Sequence, residues 1–305
     1  MMIPAAFVHE TTTREGERGA AWLADLPGIV DELQKRWDLV PDGEVTHGRV
    51  GVIVPVQDAV LKVSFPHPGN DHEPDAFESW AGRGAVKLYE RADDCYAMLL
   101  ERVHPSTLAE SDEDICAAAG QLSRRLAIPA PEGLPRMVDQ ADAWEEELRK
   151  DAFEFDQELP GPTVDAALAV IDDLARDQPE LLIHGDFHPR NILRADREPW
   201  LAVDPKGYVG DPAYDGATML KVRAADLHAT GRFGPDDLLK QLQHELAVYA
   251  EAAGVDPVRV RRWVQLQMVQ GAYWGRRHGF GRARSGSGLD DLVALADQLA
   301  VTLAT

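Results

Sequence analysis

Residues 181–193 read LLIHGDFHPRNIL: an apolar run ends in His184, Asp186 and His188 on alternate positions, with Asn191 close behind. On an extended backbone alternate side chains point to the same side, so these three could converge on one ion as in a zinc site. A zinc site needs its ligand set completed and a water position left open. The other histidines, at 9, 47, 67, 72, 104, 228, 244 and 278, form no second close cluster, and Asn191 would be left without a role.

A second reading uses more of the residues. Moving a phosphoryl group from ATP to an alcohol requires a carboxylate near the acceptor hydroxyl, oxygen ligands for a metal ion, and a cation on the phosphates. The catalytic-loop pattern H-R-D-L-x-x-x-N can be laid over H-G-D-F-H-P-R-N, which puts Asp186 at the base and Asn191 at a magnesium ligand. Asp204 closes the apolar strand LAVD, where a second metal ligand belongs. Upstream, AVLKV sets Lys62 inside an apolar strand, where a lysine either snorkels to water or finds an anionic partner. Taken with Asp186, Asn191 and Asp204, a phosphate-facing Lys62 outweighs an exposed lysine on the wet face of a strand.

The composition is compatible with this chemistry. With 305 residues, 45% hydrophobic and 27% charged, the chain has the make-up of a globular protein of one large or two ordinary domains. A net charge of −21 argues against a nucleic-acid binder, which needs a basic surface, and would favour encounter with a cationic small molecule. No apolar run of about 18 residues occurs, so no membrane span is expected. The start MMIPAAFVHETTTREGERG lacks the features of a secretory signal, and a cytoplasmic location is expected. Cys95 and Cys116 are too few for a disulfide scaffold and are expected to be reduced.

Ile29, Val30, Leu33 and Trp37 predict an amphipathic helix over residues 20 to 37. Valine-rich strands follow at 49 to 56 and 58 to 65, joined by the short Gln57-Asp58 step of a hairpin. A helix is expected from Glu73 to Ala81, then strands in AVKLYE and CYAMLLERV. Past Pro105 the texture is helical, with Ser111 read as a cap and stripes at Ile115, Ala119, Leu122 and Leu126, at Val164, Leu168, Ile171 and Leu174, and at Leu238, Leu242, Leu246 and Tyr249. Further helices are expected near 257–273 and 289–303, and only LLI (181–183) and WLAVD (200–204) interrupt as strands. The fold class is therefore α+β with two lobes. A β-rich, nucleotide-binding lobe would span 1–103, and a helical lobe with the catalytic loop and substrate site 104–305.

HGDFHPRNIL closely resembles the HGDxHxxN loop of the aminoglycoside phosphotransferases, small-molecule kinases with the protein-kinase fold. The following VDPKGYVGDPAYD, with AVLKVSFPHP and ESWAGRGAVKLYE upstream, is similar to the branch of streptomycin 6-phosphotransferases and hydroxyurea-resistance kinases. The resemblance implies Asp186 as the catalytic carboxylate, Asn191 and Asp204 on magnesium, and Lys62 on the ATP phosphates. It also implies a helix glutamate paired with Lys62, first Glu73 and otherwise Glu78, and a hinge in LLERVHP where the backbone of Glu101 and Val103 meets adenine. Asp211 and Asp215 would brace the loop, while His184 and His188 would shape it through hydrogen bonds.

Three departures stand out. No G-x-G-x-x-G is present, and HGRVG at 47–51 is the best candidate phosphate cover. Asp-Pro-Lys replaces Asp-Phe-Gly, so Lys206 would approach phosphate or form a structural ion pair. Arg190 stands where the family often has glycine. Elsewhere, the basic stretch 274–288 reads as a connector between helices, the acidic run 142–159 as a solvated helix face, and Trp263 and Trp274 as core. The expected activity is ATP- and magnesium-dependent phosphorylation of a small-molecule hydroxyl, an aminoglycoside such as streptomycin first, by a monomer or weak dimer. Another alcohol or amino sugar is the runner-up; a silent nucleotide-binding module and a metallohydrolase are the readings outside that chemistry.

Overall fold

The computed structural model describes residues 2–304 except 157, 281, 282 and 284. The first helix, α1 (Ala5–Arg36), starts far upstream of the expected residue 20. Its early turns bury only Phe7, Thr11 and Gly19, too sparse a stripe for periodicity to reveal. Gly16, at φ +60°, breaks the helix geometry midway.

An antiparallel sheet in the order β1-β2-β3-β5-β4 lies under α1. Its strands are β1 (Thr46–His47), β2 (Gly51–Val56), β3 (Ala59–Ser64), β4 (Leu88–Ala92) and β5 (Ala97–Glu101). The β2–β3 hairpin closes with Val56 opposite Ala59, and Gln57 takes φ +48° in the two-residue turn. Strand alternation then sorts the side chains. Leu61, Val63, Ala97 and Leu99 face Trp22, Leu26 and Val30 of α1, while Met98 and Leu100 join the core on the other face. Lys62 alternates with Leu61 and Val63 and so faces away from α1.

α2 (Glu73–Trp80) covers that second face, and the indole N–H of Trp80 donates to the Leu126 carbonyl at 2.8 Å. Residues 85–86, expected at the start of β4, instead pair across to the helical half: Ala85 bridges Ala202, and Val86 N–H donates to the Ala202 carbonyl at 3.2 Å. α3 (Ile115–Leu126) is capped by Asp114, which accepts the Ala117 N–H at 3.0 Å, and not by Ser111. Ser111 Oγ accepts from Glu113 N–H, one turn too early.

The helical half continues with α4 (Ala141–Glu154), α5 (Gly161–Val170) running into a π turn, α6 (Pro212–Ala229), α7 (Pro235–Ala253), α8 (Pro257–His278) and α9 (Ser287–Thr302). Trp263 is buried in this core as expected, but Trp274 is 43% exposed, a correction to the core assignment. Besides β7 (Leu181–Ile183) and β9 (Trp200–Ala202), the sequence concealed β6 (Ile128–Pro129), β8 (Ile192–Arg194) and β10 (Tyr208–Gly210). Strands of two or three residues are too short to carry a period. They form the ribbons β10-β7-β6 and β8-β9, which set the loop 184–191 beside Asp204. Among the described residues no helix is long and apolar enough to cross a membrane. Cys95 and Cys116 are free thiols.

Candidate active site

Lys62 meets its partners across the cleft between sheet and helical half. Its Nζ donates to Glu73 Oε1 and to Asp204 Oδ1, each at 2.5 Å. Glu73 sits in the first turn of α2 and is buried, as is Lys62; Asp204 is half-exposed. Burial works against the ammonium, but the two carboxylates overcome it and hold the Lys62 pKa above its ordinary value. Burial likewise opposes charge on Asp204, yet the adjacent Lys62 brings its carboxyl below the usual range. Glu78, the fallback partner, lies apart and pairs with Arg91.

Asp204 takes φ +58°, a left-handed conformation that is uncommon for aspartate and unusual before a proline. The turn is held by Lys206 N–H donating to the His184 carbonyl at 2.7 Å and by Val203 N–H donating to the Asn191 carbonyl at 2.9 Å. Lys206 makes no ion pair within 4.0 Å among the described residues, and its charge still favours the ionised forms of Asp204 and Glu73. Its stem instead passes near Gly69.

The loop 184–191 is fixed from beneath. Asp215, in the first turn of α6, accepts the N–H groups of His184 and Gly185 at 2.9 and 2.8 Å. Burial pushes the Asp215 carboxyl up to about 7 against the pull of those two donors. Asp211 caps α6 by accepting Ala213 N–H and also takes the Trp263 indole N–H at 2.7 Å and the Arg259 guanidinium. Both nitrogens of His184 are occupied: Nε2–H donates to the Val203 carbonyl at 2.9 Å, and Nδ1 accepts Asp186 N–H at 3.2 Å. Burial drives its pKa down to about 4 and keeps the ring neutral.

The zinc alternative is therefore overturned, because His184 has no lone pair left to offer. Among the described residues no group of three histidine, cysteine or carboxylate side chains could hold a metal. His188 departs from expectation: its Nε2 is 3.8 Å from Asp186 Oδ1, and its buried Nδ1 has no partner.

Asp186 presents a side chain 41% exposed to the cleft. Asn191 is buried and donates from Nδ2 to the Asp186 carbonyl at 3.0 Å, and its Oδ1 accepts no hydrogen bond among the described residues. Arg190, in place of glycine, is anchored on Asp226 at 2.6 Å. In the segment read as the hinge, Glu101 N–H donates to the Lys87 carbonyl at 2.8 Å. The Glu101 carboxylate accepts Lys87 N–H and three bonds from Arg197, tying the sheet to the β8–β9 turn. Val103 packs on the main core.

Beside the loop opens a cavity of about 660 Å³ walled by α4, α6, α8 and α9. Trp144 and Tyr214 stack on its wall, centroids 6.1 Å apart. Arg49, from the β1–β2 turn, and Lys221, on α6, also line it. Arg49 belongs to the HGRVG stretch expected as a phosphate cover, whereas sequence reading passed over Lys221. The available signal was a lysine within the apolar helical run ATMLKVRAA.

Residues 36–279 match the family model described as aminoglycoside/hydroxyurea antibiotic resistance kinase. The chain belongs to this family. The kinase is 32% identical to a streptomycin 6-kinase of Streptomyces glaucescens over 99% of this chain and 95% of that one. It is 32% identical to a hydroxyurea phosphotransferase of Kitasatospora aureofaciens over 89% and 79% of the two chains. Its fold matches the choline kinase LicA from Streptococcus pneumoniae with a TM-score of 0.57, at 13% identity, covering 92% of the kinase and 98% of LicA. The kinase is thus an α+β, kinase-like small-molecule phosphotransferase.

Proposed function

We propose that this kinase transfers the γ-phosphoryl group of ATP, with magnesium, to a hydroxyl of a small molecule, an aminoglycoside of the streptomycin type first. The observation that carries the reading is the convergence of Lys62, Glu73 and Asp204 beside a loop that presents Asp186 and Asn191 to the same cleft. Asp186 would orient the acceptor hydroxyl and take its proton. Lys62, held rigid by Glu73, would contact the α- and β-phosphates. Asn191 Oδ1 and the Asp204 oxygen not bound to Lys62 are hard oxygen donors, which fits magnesium. The ion, when bound, would neutralise charge on the phosphates.

In this reading residues 1–103 bind the nucleotide and 104–305 carry the catalytic loop and the acceptor pocket. The Glu101 and Val103 backbone would meet adenine. Because Glu101 N–H is taken by Lys87, the free backbone groups there are the Glu101 carbonyl and those of Val103. The relatives' names support streptomycin as the first acceptor to test and hydroxyurea as the second. An acidic, monomeric or weakly dimeric enzyme in the cytoplasm completes the proposal.

The test is an ATP-consumption screen against streptomycin, other amino sugars and hydroxyurea, with product mass as the readout. A product one phosphoryl group heavier than streptomycin is expected, and it should vanish in Asp186→Ala. Phosphorylation of a different alcohol alone would replace streptomycin as the acceptor. Full turnover in Asp186→Ala would remove Asp186 from the chemistry.

A further inference from the structure

Lys221 stands in the second half of α6, between the buried Leu220 and Ala224. Its side chain is half-buried in the wall of the acceptor cavity. The nearby cations are committed: Lys62 to Glu73 and Asp204, Arg190 to Asp226, and Arg277 to Asp151 and Glu154. Lys221 makes no ion pair within 4.0 Å and no hydrogen bond among the described residues. A desolvated ammonium without a counter-ion is costly, so a fold that retains one invites an anion. Lys221 lines the cavity together with Tyr214, two turns earlier on α6, and with Arg190 of the catalytic loop; burial lowers the Lys221 pKa, and the charge of Asp186 acts in the opposite direction. His188 senses Lys221 as well.

We propose that Lys221 is a further catalytic residue, whose ammonium contacts the non-bridging oxygens of the phosphoryl group as it passes to the acceptor hydroxyl. This rests on the reading of Asp186 as the carboxylate at that hydroxyl. The acceptor oxygen forms a bond to the γ-phosphorus while the bond from that phosphorus to the β–γ bridging oxygen breaks. The bridging oxygen leaves on ADP with the electron pair, and the hydroxyl proton goes to Asp186. Lys221 keeps its own proton. A carboxylate beside a transferring anion repels it, and a cation on the acceptor side offsets that repulsion where Lys62, on the nucleotide side, does not reach. Arg49, exposed and also without an ion pair among the described residues, lines the same cavity, as do the carboxylates Glu147 and Asp151, the latter paired with Arg277.

The experiment compares Lys221→Met, Lys221→Arg and the remote surface variant Lys240→Met, using magnesium ATP with streptomycin and magnesium ATP with water alone. Lys221→Met should lower kcat about 100-fold with streptomycin and slow acceptor-free ATP hydrolysis in parallel, with the KM for ATP little changed. Lys221→Arg should recover part of the loss, and Lys240→Met should behave as the unaltered enzyme. Unchanged hydrolysis with only a raised streptomycin KM would overturn the proposal by making Lys221 an acceptor-binding group. An unchanged kcat in both assays would overturn it outright. If Lys221→Met does not fold, Lys221→Gln against Lys221→Arg, matched by thermal melting, supplies the same comparison. Failure of the underlying reading shows separately, as full turnover in Asp186→Ala.

Discussion

Lys62 Nζ lies 2.5 Å from Asp204 Oδ1, a contact between residues 142 positions apart in the chain. It draws the β3 lysine to Asp204, two residues past β9, and so ties the sheet to the helical half. Glu73 completes the arrangement from α2.

The Lys62–Glu73 pair predicts an asymmetry in stability. Lys62→Met alone leaves the Glu73 carboxylate buried without its cation and should cost about 3–5 kcal/mol. Lys62→Met combined with Glu73→Leu replaces the pair with apolar groups and should recover much of that loss. Urea unfolding of the two variants checks this; equal destabilisation in both would refute it.

Asp186→Ala should lower kcat by about 10²–10⁴-fold, the usual worth of a positioned proton acceptor. Its thermal stabilisation by magnesium ATP should persist, because Lys62, Glu73 and Asp204 do not lean on the Asp186 side chain. Steady-state kinetics with a melting series in ATP reads both quantities.

Gly185→Ala should damage the site without touching a reacting group. Gly185 takes φ +80°, and a Cβ there would stand 2.6 Å from the Tyr208 ring and 3.1 Å from Lys206 Cβ. Strain of about 1–3 kcal/mol is expected, relieved by shifting the loop that carries Asp186. Both the melting temperature and kcat should fall; an unchanged kcat would show that the loop tolerates the shift.

His184 sets a pH dependence. Its folded-state pKa of about 4 lies below the ordinary 6.5, so the unfolded chain takes up a proton that the folded chain refuses. Stability from this group is complete above about 6.5 and drains away as pH falls toward 4, by up to roughly 3 kcal/mol. His184→Gln should melt lower at neutral pH but lose less on acidification. Denaturant midpoints at pH 7.5, 6 and 5 for both proteins test the slope.

The legible parts of this protein were those whose pattern repeats within a few residues. The valine-rich β2 and β3, the α2 span and the stripes of α3 and α7 stood out because burial on one face imposes a period. The loop HGDFHPRN stood out because its chemistry sits in a single short segment. The early half of α1 and the ribbons β6, β8 and β10 did not, since sparse or two- to three-residue elements take their order from partners elsewhere in the chain. His184 and His188 could not be ranked from their spacing. The structure occupies both nitrogens of the first and leaves one nitrogen of the second without a partner.

The sequence by itself determined the α+β class, the kinase-like loop and a lysine that needed an anion. Only the tertiary structure decided that Lys62 is shared by Glu73 and Asp204, that Asp215 holds the loop by two N–H groups, and that Arg49 and Lys221 face one cavity. Local patterns reflect which face of an element is buried. The electrostatics of a site depend on distances between groups far apart in the chain, and folding alone sets those distances.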